Sequence, residues 1–134
     1  MKKIIIIVVA VLVLAGVGVY MFVLPKPEEP EPISKYIPGD YFVTNINGSN
    51  KLVKVTVFLE VNKKQDDATF FAFLDEKQYL IRNAVTFTLR SKTEEELKAD
   101  NAQEMLNAEI TKKINDALEI DNVKNVYFSD YVIQ

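Results

Sequence analysis

The chain has 134 residues, 49% hydrophobic and 26% charged, with no Cys and no His. The missing Cys excludes disulfides, thiolate nucleophiles and Cys-held metals, and the missing His removes imidazole catalysis and the commonest metal ligand. A net charge of −3 hides a division: Met1 to Leu24 carries only Lys2 and Lys3, while the other 110 residues carry 14 basic and 19 acidic side chains, a body of −5 with no electrostatic reason to hold nucleic acid.

Ile4 to Leu24 is an uncharged run of 21 residues. As a helix it spans about 30 Å, the thickness of a bilayer's hydrocarbon core. Fifteen of these residues are Ile, Val, Leu or Phe, each favouring insertion by roughly 0.3 to 0.6 kcal/mol at a helix centre. The run therefore predicts a single-pass membrane anchor, with Ile4, Val8, Leu12, Val19 and Leu24 among its lipid-facing residues. A cleaved signal peptide has a shorter apolar region and a small-x-small exit site; cutting at Gly16-Val17-Gly18 would leave Val19 to Leu24 on the new N-terminus, so an uncleaved anchor is expected. Gly16 and Gly18 do not make a GxxxG dimer motif. Lys2 and Lys3 place the N-terminus in the cytoplasm and the body outside it.

Residues 25–38 (PKPEEPEPISKYIP) hold all five prolines. At this density Pro favours extended polyproline II, about 3.1 Å per residue and about 40 Å in all, so the segment reads as a semi-rigid stalk. Pro27-Glu28-Glu29-Pro30 fits PxxP, a pattern too short to outweigh the spacer reading. Residues 39–134 then suffice for one small domain with a single core.

In that domain Tyr41 to Ile46 predicts a strand and Asn47-Gly48 a hairpin turn; the sequon Asn47-Gly48-Ser49 is accounted for by the turn. Leu52 to Val61 alternates, Val53, Val55, Val57, Leu59 and Val61 on one face, and predicts a strand with that face buried. Phe70, Phe73, Leu74, Leu80, Ile81, Ala84 and Val85 recur at helical spacing, with Asp75 and Gln78 as a candidate capping box. The β-branched alternation of Val85 to Arg90 predicts a third strand. Thr93 with Glu96 is a capping box for a short helical turn, and Asp100 with Gln103 another for a long helix with its inner stripe at Met105, Leu106, Ile110, Ile114, Ala117 and Leu118. Lys124 to Ile133 predicts a closing strand, Val126, Phe128 and Val132 on one face and Tyr127, Tyr131 and Ile133 on the other. Apolar on both faces, it is expected to be central or covered on both sides. The order β-β-α-β-α-β implies an α+β domain with helices on one sheet face.

The residues offer little chemistry. Asp66 and Asp67 read as a solvated pair in a loop, and Glu94, Glu95 and Glu96 as carboxylates at a helix start. Ser91 and Lys92 form the remaining nucleophile–base candidate, but neighbours on a strand point to opposite faces. No P-loop, GxGxxG or EF-hand spacing occurs, and no catalytic residue, cofactor or metal ligand is assigned.

The anchor, the Pro/acidic linker, Pro38-Gly39-Asp40-Tyr41-Phe42-Val43-Thr44-Asn45-Ile46-Asn47, Phe58-Leu59-Glu60-Val61, Leu89-Arg90-Ser91-Lys92-Thr93-Glu94-Glu95, Ile114-Asn115 and Val126-Tyr127-Phe128-Ser129-Asp130-Tyr131-Val132-Ile133-Gln134 together resemble the flagellar basal-body-associated FliL family. Their order and spacing carry the resemblance; Ala102-Gln103 stand where that family usually has Gly-Lys, so no partner contact is carried over to this helix start. The resemblance implies a single-pass inner-membrane protein whose periplasmic domain is similar to the stomatin/prohibitin-like (SPFH) fold. It also implies a non-enzymatic ring around the MotA/MotB stator that supports its engagement, with other basal-body proteins as further partners. Tyr127, Tyr131 and Ile133 are the candidate contacts for self-association or a partner. The alternatives are an anchored adaptor of another envelope assembly and, third, an envelope hydrolase.

Overall fold

The computed structural model describes all 134 residues, in two compact units, Met1–Pro30 and Glu31–Gln134. The first is one helix, α1 (Lys2–Val23), followed by extended chain. Pro25 lacks the N–H a further turn would need, and the helix ends just before it, with Leu24 extended at ψ 125°. No residue of α1 is buried, and its most apolar 18 residues have a mean hydropathy of 3.0. Its length and composition are those of a membrane-crossing helix.

The second unit contains β1 (Ser34–Tyr36), β2 (Phe42–Asn45), β3 (Leu52–Val61), α2 (Ala68–Glu76), α3 (Gln78–Arg90), α4 (Glu94–Lys98), α5 (Ala102–Leu118) and β4 (Val123–Ile133). Strands, then helices, then one closing strand replace the expected β-β-α-β-α-β alternation, though the α+β class stands.

The sheet is antiparallel and built on β3. β4 runs along one side of β3; the other side is shared, β2 pairing with Leu52–Val55 and β1 with Leu59–Val61. The alternation read in Leu52–Val61 is the register observed: Val53, Val55, Val57, Leu59 and Val61 are all at most 1% exposed. Over them lie Leu74 of α2, Ile81, Val85 and Leu89 of α3, and Leu106, Ile110, Ile114 and Leu118 of α5, each buried. A fully buried side chain of this size stabilises the fold by roughly 1.5 to 3 kcal/mol, so this face is the core.

Four expectations about the strands and their limits need correction. β1 lies inside the stretch 25–38 read as stalk: Ser34 and Tyr36 turn inward while Lys35 stays exposed, a strand too short to show in a Pro-rich context. Val85 to Arg90 is helical. Ile81, Val85, Thr88 and Leu89 fall on one helical face, and burying it outweighs the β propensity of Val85, Thr86 and Thr88. The Thr88 hydroxyl donates to the Ala84 carbonyl at 2.7 Å, which satisfies it inside the helix. β4 is an edge strand, paired with β3 alone, rather than central. Its faces also differ from the expected division. Register shifts between Thr56 and Val57 and between Glu60 and Val61 leave Ser129 and Lys124 unpaired, and each extra residue reverses the alternation. Val123, Val126, Phe128, Tyr131 and Ile133 therefore share the core face, while Tyr127 and Val132 lie on the other.

The capping box at Thr93 and Glu96 is present, Thr93 Oγ1 accepting from the Glu96 N–H at 3.2 Å and Glu96 from the Thr93 N–H at 2.8 Å. The other two boxes are not. Asp75 lies near the end of α2 and accepts the Tyr36 hydroxyl, and α5 starts from Asn101 without a side-chain cap.

Candidate interaction surface

The sheet face away from the helices is open to solvent. It carries Lys35 of β1, Val43 of β2, Lys54 and Phe58 of β3, and Tyr127 and Val132 of β4. Phe58 and Tyr127 stand opposite each other across the β3–β4 pair, ring centroids 5.3 Å apart. Lys35 Nζ lies 4.4 Å from the Phe58 ring and Lys54 Nζ 4.3 Å from the Tyr41 ring. Cations over rings shield the apolar surface while the charges stay wet, so the face can meet a partner without being a bare hydrophobic patch. Phe58 was legible as the one aromatic on the polar side of β3; Tyr41 and Val132 had no comparable signal.

The three residues read as one contact are separated. Tyr127 is 40% exposed on the open face. Tyr131 and Ile133 are half-buried against the core from the helix side, and the Tyr131 hydroxyl donates to the Leu97 carbonyl at 2.7 Å. Burial raises the Tyr131 pKa. Of the residues expected to form an anchor, Ile4, Val8, Leu12 and Val19 are exposed along α1, and Leu24 is its C-terminal cap.

Where the chain enters the domain it is fastened by side chains. Asn62 Nδ2 donates to Glu31 at 3.0 Å, Ser34 Oγ donates to the Lys63 carbonyl, and the Tyr36 hydroxyl donates to Asp75 at 2.9 Å. Burial, and then the Asp75 carboxylate, push the Tyr36 phenol up to about 12. Arg82 of α3 closes the β1–β2 connection: it donates to the carbonyls of Pro38 at 2.7 Å, Asp40 at 3.2 Å and Tyr41 at 3.3 Å, and its guanidinium lies 4.1 Å from the Phe42 ring. Gly39 takes φ 80° in this turn, and a Cβ there would stand 3.1 Å from Arg82 Nη1. No sequence signal marked Arg82, because its partners are backbone atoms.

The candidate catalytic groups have structural partners. Asp67 caps α2, accepting from the Phe70 N–H at 3.0 Å, beside an exposed Asp66. Ser91 Oγ donates to the Thr88 carbonyl at 2.7 Å, while Lys92 is paired with Glu109 at 2.6 Å. Glu94 bridges Lys51 at 2.7 Å and Lys98 at 2.5 Å, hydrogen bonds that hold its carboxyl down at about 2. Glu96 is lowered by the Thr93 N–H it accepts. The arrangement can hold surfaces in place; it assembles no nucleophile with a base.

Residues 36–134 match the family of flagellar basal body-associated protein FliL. Flagellar protein FliL of Aquifex aeolicus (strain VF5) is 32% identical over 95 residues, which cover 69% of this chain and 56% of that relative. The chain thus spans little more than half of the relative's length. The matched region holds β2, β3, all four helices of the second unit and β4, so three of the four strands, their helical cover and the open face apart from Lys35 lie within it. On the extent of that match, the chain belongs to the FliL family of flagellar basal body-associated proteins.

Proposed function

We propose that this protein is a non-enzymatic accessory of the bacterial flagellar motor, anchored in the inner membrane by α1, whose domain forms a scaffold around the MotA/MotB stator and supports its engagement. The observation that carries the reading is the family match over residues 36–134 in a chain that opens with a 22-residue apolar helix. Lys2 and Lys3 favour a cytoplasmic N-terminus and a periplasmic domain. Ile4, Val8, Leu12, Val19 and Leu24 are the anchor's lipid contacts, and 25–30 is the spacer, extended and without regular structure.

The scaffold acts by binding. It holds the stator in one conformation to the extent that it binds that conformation more tightly than the other. An SPFH-like ring of copies is the form of self-association we assign to it, and Tyr127 beside Phe58 is the contact to test first. Tyr131 and Ile133 are packed from the helix side, so changing them will disturb the domain as well as any contact.

Fluorescently tagged full-length protein should gather at flagellar bases in motile cells and disperse when the stator genes are deleted. Uniform membrane fluorescence unaffected by that deletion would contradict the stator reading and favour an adaptor of another envelope assembly.

A further inference from the structure

β4 has one free edge, and the structure treats its two halves differently. Leu52 and Gln134 exchange both backbone hydrogen bonds, at 2.7 and 2.9 Å. By alternation Val132 and Asp130 turn their N–H and C=O groups to β3, while Ile133 and Tyr131 turn theirs outward. Past the bulge at Ser129 the outward groups belong to Phe128, Val126 and Val123. α5 closes part of this edge: Asn107 Oδ1 accepts from the Val126 N–H at 2.6 Å, and Asn115 accepts from the Val123 N–H at 3.1 Å and donates to its carbonyl at 2.8 Å. Phe128, Tyr131 and Ile133 receive no such cover.

Beside this open half lies a groove of about 610 Å³, floored by Leu97, Ala102, Tyr131 and Ile133 and rimmed by Lys98, Asp100 and Gln103. Gln103 is shared between it and a second groove of about 260 Å³ beside Phe128. A row of outward amides beside a groove with an apolar floor and a mostly polar rim is a geometry by which a sheet accepts an extended segment, main-chain bonds supplying affinity and alternate side chains specificity. We propose that the open half of β4, from Phe128 to Ile133, takes an extended segment of a partner protein as an added strand, one that alternates apolar and basic residues.

Charge selects that occupant. Asp100 and Glu104 at the grooves on the helix side, and Asp130 on the opposite, open side of the strand, are exposed and make no ion pair, whereas Lys98, the grooves' own cation, is held by Glu94 at 2.5 Å. A second copy would bring an acidic body of −5 to this acidic rim, and a basic segment brings the opposite sign. The inference goes beyond the stator reading and does not depend on it.

The test follows amide hydrogen exchange in full-length protein in neutral-lipid nanodiscs, with a short alternating Lys-Val peptide as the probe. At about 1 mM peptide, exchange at Phe128, Tyr131 and Ile133 should slow roughly tenfold, with Val123 and Val126 unchanged. A Glu-Val peptide should give no protection. The combined Asp100→Asn, Glu104→Gln and Asp130→Asn variant should lose the preference for lysine while keeping its fold, read from the unchanged amides of β3. Exchange that the Lys-Val peptide leaves unslowed would overturn the proposal, as would equal protection by both peptides. So would protection already present without peptide that rises with protein concentration, because a second copy would then be the occupant.

Discussion

Arg82 shows how one side chain can decide where a strand begins. Its guanidinium gathers three carbonyls from one loop and stacks on Phe42, so the β1–β2 connection is folded around it. Arg82→Ala should cost about 2 kcal/mol, by loss of charge-assisted hydrogen bonds and of the stacked cation, and Arg82→Lys should recover only part because an ammonium lacks the planar fork. Urea unfolding measures both. Tyr36 makes a pH-dependent contribution with a definite sign. Its phenol is raised from 10.0 to about 12, so the folded state favours the neutral form; the stability this supplies is complete below pH 10 and is lost as pH rises through 12. Tyr36→Phe should remove this share of the alkaline decline, leaving the part due to Tyr131, which burial shifts in the same direction. A decline unchanged by the substitution would contradict the assignment.

At the scale of elements, what the sequence disclosed depended on whether one local rule acted alone. β3 was legible because ten residues alternate without a break, and α5 because Leu106, Ile110, Ile114 and Leu118 keep one period, although Met105 and Ala117 of the expected stripe are exposed. The Thr93–Glu96 box was legible because both partners are local. The end of α3 was not, since Val85, Thr86 and Thr88 favour a strand and only burial on Ile81's face keeps them helical. Ile81→Ala should therefore cost about 3 kcal/mol, and Thr88→Val under about 1 kcal/mol, since the hydroxyl and its local bond leave together. Thermal unfolding tests the contrast. The faces of β4 were hidden for a different reason. Bulges at Lys124 and Ser129 are decided by pairing with β3, and each reverses the side on which every later residue falls. That reversal separated Tyr127 from Tyr131 and Ile133. Arg82 and the β4 edge, whose partners are backbone groups, left no pattern in side-chain chemistry to read.

For the whole molecule, an apolar helix, a Pro/Glu segment and a domain with an open sheet face are the parts from which we propose an anchored scaffold. If 25–30 sets a height, replacing Pro25, Pro27 and Pro30 by Gly shortens its mean reach from about 19 Å as polyproline II to about 14 Å as flexible coil. Motility should then fall at equal expression with the domain still folded, and normal motility would remove the spacing role. The central claim concerns assembly, and membrane tethering matters to it because copies held in one plane reach effective concentrations that a soluble fragment lacks. The most direct measurement is to image stator particles extracted in mild detergent with the full-length protein. The account predicts a closed ring of these domains around the stator on the periplasmic side; intact stators carrying single copies of the chain, or none, would contradict it.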